Sequence, residues 1–392
     1  MISYSKLSLI MALIMQVVYQ VVNYTRVSSY FLYVPYIVVL ALVIISGGEI
    51  ELPTGYRFLL SGMALCYIVG PMLGRNINFS SYTYSALLML FSLASIQMGQ
   101  ALSKDICNIK KMALIGALFL IFLVVSHLEA YNLSNIRVAL GLTGVRNTTL
   151  RASFGFWHPN AAGYMFATEI ILLSFTLSLE ERLYKKIIEI FLIIVFCVSM
   201  LASGSRTAAV TVMVFFSIKI ALKYTRAFTR ARVIVLSLIF IVFSAYFITN
   251  NGLNNLIEAS SGRNLAVGNV LQHLKRENKL IFGYGATRIS EGGIGITIDN
   301  WYLNMLAYYG IFGLICMLGG VLLLVVNLYK IIRLIPNESV KENIISFIIM
   351  FFLYGLCENV IYVPGVTLCG VFWMVVNMLY FYVDNNYLKK SK

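Results

Sequence analysis

Arg151, His158 and Asn160 fall inside one ten-residue stretch, RASFGFWHPN, set between two hydrophobic runs. Three more segments place charge at the edges of apolar runs: SGSRTAAV around Arg206, SSGRN around Arg263, and TIDNWYL around Asp299 and Asn300. The chemistry these residue types support together is the handling of phosphate. A guanidinium is a rigid, permanently charged fork that grips phosphate through paired hydrogen bonds. An aspartate can accept the proton of an attacking hydroxyl. Arg288 and Glu291 lie in a Gly-rich segment, GYGATRISEGGIG, that could close over such a site. No Walker A, HExxH, GxSxG or paired Asp-x-Asp signature is found, and the glycines do not follow a Rossmann strand.

The elements that must position these residues are membrane helices. Of 392 residues, 60% are hydrophobic and 12% charged, with mean hydropathy +0.84, whereas a soluble domain carries about 25% charged residues. Apolar runs recur at the length of roughly 17–25 residues needed to cross hydrocarbon, without the alternating segments of a barrel. The fold class is therefore all-α polytopic. The pattern predicts twelve spans, at 7–22, 30–46, 56–73, 82–102, 112–128, 159–179, 187–203, 207–222, 233–249, 300–327, 343–358 and 365–383. The first is expected to stay attached, because no small-residue cleavage site follows it. One membrane domain, 1–392, would carry two large outer loops at 129–158 and 250–299.

An even number of spans puts both termini on one side. With the termini cytoplasmic, nineteen of the thirty Lys and Arg residues lie inside, and eight of the other eleven lie in the two long loops, where the charge bias is weak. The net charge of +14 thus follows from membrane topology, and no nucleic-acid partner is implied. The kinds of charge also divide. Inside, Lys outnumbers Arg thirteen to six; outside, Arg outnumbers Lys nine to two. Inner lysines suit anchoring to anionic lipid. Topology gives no reason for outer arginines; any single one reads equally well as a snorkelling or solvated side chain, but for the set binding of phosphate is the better account. The stretch NLAVGNVLQHLKREN, with Leu265, Val267, Val270, Leu271 and Leu274 near helical spacing, predicts a helix on the membrane surface or across a cavity mouth. The six cysteines read as small buried residues.

Several residues support two readings. His158 could bond a phosphate or simply cap a helix. Trp157, Trp301 and Tyr302 could stack on sugars or form an interfacial belt. Glu169, roughly 15 Å beyond Pro159 at 1.5 Å per residue, could line a cavity or satisfy a buried amide. Asn160 and Asn300 suit helix-mouth hydrogen bonding more than catalysis.

The order RASFGFWHPNAAG, GSRTA, SGR, IFGYG and DNWYLNMLAYYGIFGL, over about residues 140–325, resembles the O-antigen ligase and polysaccharide polymerase (Wzy-type) superfamily. The resemblance implies a GT-C-like, metal-independent glycosyltransferase without a cofactor, in the bacterial plasma membrane. Its donor and acceptor would be undecaprenyl-pyrophosphate-linked glycans, used on the outer face of the bilayer. A flippase and a chain-length regulator would be its partners. The pyrophosphate-binding arginines of the family map onto Arg206 and Arg263, with Arg151 a third. The ligases carry a histidine at the position of Asp299, a difference that favours a polymerase over a ligase. A transporter for the same lipid-linked units is the reading from another class. The sequence shows no internal repeat of the kind many transporters carry.

Overall fold

The computed structural model describes residues 7, 10–15, 17–18, 34–45, 52, 54–74, 79–131, 151–156, 158–225, 263–285, 300–356, 358–359, 361–362 and 367–388. Among them every element is helical. In chain order they are α1 (Val34–Ile45), α2 (Thr54–Ala64, prolonged by a π-helical turn Leu65–Val69 and by Gly70–Leu73), α3 (Phe79–Leu102), α4 (Asn108–Ser126), α5 (Pro159–Leu179), α6 (Leu183–Ala202), α7 (Arg206–Thr225), α8 (Arg263–Arg276), α9 (Trp301–Ile332), α10 (Glu338–Tyr354) and α11 (Thr367–Val383).

Seven stretches among the described residues are long and apolar enough to cross a membrane: Gly55–Leu73, Ser85–Leu102, Asn108–Ser126, Pro159–Leu179, Arg206–Tyr224, Trp301–Ile332 and Thr367–Asn386. The chain is an all-α polytopic membrane protein. Each of the seven coincides with a predicted span. Three more predicted spans are helices that differ for visible reasons. α1 has 12 residues and α10 has 17, and α6 opens with Lys185, Lys186 and Glu189. Of the predicted 7–22, residues 10–15 are helical, and 233–249 lies outside the described residues.

α5 is the hub, touching α4, α6, α7, α10 and α11. Its apolar residues face every direction, as expected of a helix surrounded by other helices, and it is buried from Ala161 to Thr176 with Tyr164 the partial exception. α11 packs along α3, α2 along α9, and α7 along α10.

α9 is broken at Gly310 (φ 67°, ψ −172°). The break releases the N–H groups of Ile311 and Phe312 and the carbonyls of Ala307 and Tyr308. The segment Leu280–Gly285 takes all four: Ile311 N–H donates to Leu280 O (3.0 Å) and Phe312 N–H to Ile281 O (3.0 Å), while Tyr284 and Gly285 N–H donate to Ala307 O (3.0 Å) and Tyr308 O (2.7 Å). Irregular backbone in a membrane protein persists where protein supplies the missing hydrogen bonds, and here Leu280–Gly285 supplies four. Val270 and Leu274 of α8 pack on Leu303 and Ala307 of α9. The predicted amphipathic helix therefore lies on the first part of α9, held there by the segment that follows it.

α5, α7 and α10 are cross-linked by a polar network at the end of the bundle remote from His158 and Arg206. Lys219 Nζ donates to Ser174 Oγ (2.8 Å), and Ser174 Oγ donates to Asn343 Oδ1 (3.2 Å). Asn343 Nδ2 donates to Ser174 O (2.9 Å) and Ser178 Oγ (2.8 Å). Lys110 of α4 pairs with Glu180 at 2.9 Å and holds that carboxyl down at about 2. With Asn343 fully buried, Asn343→Ala strips the network of its centre and leaves buried partners unsatisfied. The expected loss is on the order of 1–3 kcal/mol, read as a lower melting temperature of the detergent-solubilised protein. An unchanged melting temperature would show that the network does not hold the three helices in register.

Candidate functional site

The turn between α6 and α7 is the floor of the site. α6 ends at Ala202, and Gly204 takes a positive φ of 63° with its N–H donating to Leu201 O (2.9 Å), the usual glycine stop of a helix. Ser205 restarts the chain as a cap, its Oγ accepting from Ala208 N–H at 3.4 Å. Arg206 is thus the first residue of α7 and is partly exposed. α5 approaches closely here because Gly163 has no side chain: a Cβ there would stand 2.4 Å from that of Ser205.

The stretch 151–160 lies across this turn. Ala152 N–H donates to Ala202 O (3.3 Å), and Arg151 Nε donates to Ser203 O (3.2 Å). The other end of the Arg151 guanidinium donates through Nη2 to Asn160 Oδ1. Phe154, at φ 48°, turns its ring into the bundle against Tyr131 (5.7 Å) and Phe166 (5.1 Å), which anchors the stretch. His158 caps α5, its Nδ1 accepting from Asn160 N–H at 3.1 Å. In the neutral ring, that places the proton on Nε2.

α9 and α10 close the same end. Asn300 caps α9 by accepting from Leu303 N–H (3.0 Å), and its Nδ2 donates to Leu356 O (2.9 Å). Trp301 N–H donates to Gly355 O (2.9 Å). The Tyr354 ring meets that of Tyr164 at 6.0 Å, and its buried hydroxyl is a near neighbour of the Tyr164 and Thr207 hydroxyls. Glu358, 8% exposed, is within electrostatic reach of Tyr354.

Two separate sequence motifs are thereby joined. Arg151, His158 and Asn160 meet the turn that carries Arg206, and Asn300 reaches the same end through α10. The N-termini of α5 and α7 also open here, each contributing roughly half a positive charge. Two arginines and two helix N-termini make this end of the bundle electropositive, which suits an anion.

No protein-family model matches the chain, and no curated protein does.

The remaining predicted residues stand differently. Arg263 opens α8. Asp299 and Arg288 lie outside the described residues, although Asp299 directly precedes the Asn300 cap. Trp301 is buried, 3% exposed, so it is neither a lipid-facing belt residue nor an open sugar platform, and Tyr302 donates its hydroxyl to Phe352 O (2.9 Å). Glu169 is buried and its Oε1 has no hydrogen-bond partner. Among the cysteines, Cys66 and Cys369 are buried as expected, but Cys107 is exposed in the turn between α3 and α4. Among the described residues no three His, Cys, Asp or Glu side chains gather as they would around a metal ion. Tyr164, Thr207, Tyr354 and Glu358 are additions that the sequence reading missed. A hydroxyl within an apolar run carries no signal, whereas Glu358, an acid at the edge of the predicted span 343–358, was a visible one.

Proposed function

We propose that the protein is a membrane glycosyltransferase that polymerises undecaprenyl-pyrophosphate-linked oligosaccharide repeats at the outer face of a bacterial plasma membrane. The observation that carries this reading is the meeting of Arg151, braced by Ser203 O and Asn160, with the turn that starts α7 at Arg206. In this reading the acceptor hydroxyl oxygen attacks the anomeric carbon of the donor chain. The bond from that carbon to the pyrophosphate oxygen breaks, and its electron pair leaves with the pyrophosphate. Arg206, Arg151 and Arg263 stabilise the developing charge, which is the larger contribution in a site bordered by low-dielectric hydrocarbon. Asp299 takes the hydroxyl proton. Arg288 contributes to substrate binding, and the helix mouths capped by His158 and Asn300 border the substrate.

The arrangement that fits this chemistry is a GT-C-like bundle of twelve spans with cytoplasmic termini, its 129–158 and 250–299 loops outside. A flippase would deliver the lipid-linked repeats, and a regulator would limit chain length. The broken helix α9 is the feature most reminiscent of a transporter. Its break, however, is filled by the backbone of Leu280–Gly285, which pairs with Ala307 O, Tyr308 O and the N–H groups of Ile311 and Phe312.

Reconstitution with lipid-linked repeats in vesicles tests the reading. A ladder of lipid-linked oligomers is expected. Transfer of glycan to a different acceptor without a ladder would indicate a ligase, and movement of intact lipid-linked units across the vesicle membrane would indicate a transporter. Asp299→Asn should lower turnover by about 10²-fold with donor binding retained. Turnover within a few-fold of wild type would remove Asp299 from the proton transfer.

A further inference from the structure

We propose that the last turn of α8 and the segment after it bind the headgroups of anionic phospholipids at the surface of the bilayer. The level of this segment is set by α9. Beyond the break at Gly310 the helix runs from Ile311 to Ile332, about 33 Å at 1.5 Å per residue, which by itself fills the hydrocarbon of a bilayer. Gly310 therefore lies at a boundary between hydrocarbon and headgroups. Leu280–Gly285 lies there too, because its backbone is bonded to Ala307, Tyr308, Ile311 and Phe312.

The lipid-facing side of α9 shows in its exposure: Ile311, Ile315, Leu322, Val326 and Tyr329 are exposed and recur at helical spacing. Ile281, 60% exposed, adds an apolar side chain at the head of this stripe, since its carbonyl is bonded to Phe312 N–H and that of Leu280 to Ile311 N–H. Charge stands directly ahead of it. α8 is stopped by Asn278 at φ 55°, with Asn278 N–H donating to Lys275 O (3.3 Å) and Lys279 N–H to Leu274 O (2.8 Å). This tight stop sets the exposed Lys275 and Arg276, and Lys279 after them, just before Ile281. Glu277 is the one acidic residue from Arg263 to Gly285, so the patch is basic. The helix dipole favours cations in a last turn, but it accounts neither for Lys279, past the helix end, nor for an exposed isoleucine beside them. Cations next to an exposed apolar side chain at this level match a phospholipid, whose phosphate lies above its acyl chains. Lysine, a strongly hydrated point charge, suits a mobile headgroup better than a fixed fork does. Of the eleven cations that the predicted topology places on this side, Lys275 and Lys279 are the only lysines.

The test is site-resolved lipid labelling of the full-length protein in nanodiscs of phosphatidylglycerol and phosphatidylcholine in equal parts, with one or the other lipid carrying a photoactivatable headgroup. The readout is the ratio of phosphatidylglycerol to phosphatidylcholine crosslinks on the peptides covering 270–285, with melting temperature measured on the same samples. Wild type should favour phosphatidylglycerol. Lys275→Gln and Arg276→Gln should each lower the ratio by about 5-fold, and the pair together by about 25-fold. Both should melt like wild type, because both side chains are exposed. Lys330→Gln, an exposed cation at the opposite end of α9, should leave the ratio unchanged. Equal labelling by the two lipids in wild type, labelling by neither, or a wild-type ratio in the double variant would overturn the proposal. Displacement of phosphatidylglycerol from 270–285 by an equimolar amount of undecaprenyl pyrophosphate would overturn it as well, by giving the patch to that lipid instead. The outcome is independent of the proposed function, in which neither phospholipid is a substrate.

Discussion

If the proposed function holds, replacing Arg206 with alanine should lower the turnover of lipid-linked repeats by about 10³-fold, with the protein still folded. The magnitude follows from where the charge sits. In the proposed reaction, negative charge grows on the departing pyrophosphate as the glycosyl bond breaks, and Arg206 stands at the first residue of α7, where the helix contributes positive potential of its own. Near hydrocarbon neither effect is screened as it is in water. The fold should survive because Arg206 is partly exposed, alanine is the stronger helix former, and the cap of α7 belongs to Ser205. Arg206→Lys should recover part of the loss, since it restores the charge and omits the paired hydrogen-bonding fork. The measurement is the initial rate of oligomer formation in vesicles, alongside melting temperature. Turnover near wild type in a well-folded Arg206→Ala protein would rule out a role for this end of α7 in leaving-group stabilisation.

Much of the bundle was legible because burial in lipid writes itself into long apolar runs. The spans at 159–179 and 207–222 are visible in the sequence, as is the turn at Ser203–Ser205, where Gly and two serines interrupt two such runs. What the sequence could not show is which turns meet. Arg151 and Ser203 are 52 residues apart, and nothing in either motif encodes their contact; it follows from α5 and α7 packing at Gly163 and from Phe154 being seated in the bundle. The break in α9 was hidden for a different reason. An isolated glycine in an apolar run usually continues the helix at a modest cost, so 300–327 read as one span. Only the facing segment, whose carbonyls and N–H groups replace the helical partners, makes a break favourable. Glu358 was lost at an edge, since a boundary uncertain by a few residues conceals which side of it an acid lies on.

That break predicts the largest effect on stability. Gly310→Ala should cost on the order of 3–5 kcal/mol, enough to abolish most folded protein. Two effects combine. The conformation at φ 67° and ψ −172° is essentially restricted to glycine, and an added Cβ would stand 2.2 Å from Ile281 O and 2.3 Å from its carbonyl carbon. The chain cannot relieve this by moving Leu280–Gly285 away, because that motion breaks the four backbone hydrogen bonds that repair α9. It cannot restore a continuous helix either without expelling the same segment. Gly319 of the same helix is the control, since a Cβ there meets nothing within 4 Å; Gly319→Ala should be neutral or stabilising by up to about 1 kcal/mol. Size-exclusion profiles and melting temperatures of the two variants in detergent give the comparison. If Gly310→Ala folds as well as Gly319→Ala, the segment is not locked in the break. The consequence reaches the proposed site as well, because α8 lies on the first part of α9 and Arg263 opens α8. Any fraction of Gly310→Ala that does fold should therefore bind undecaprenyl pyrophosphate more weakly than wild type, although the substitution adds a single methyl group and changes no charge.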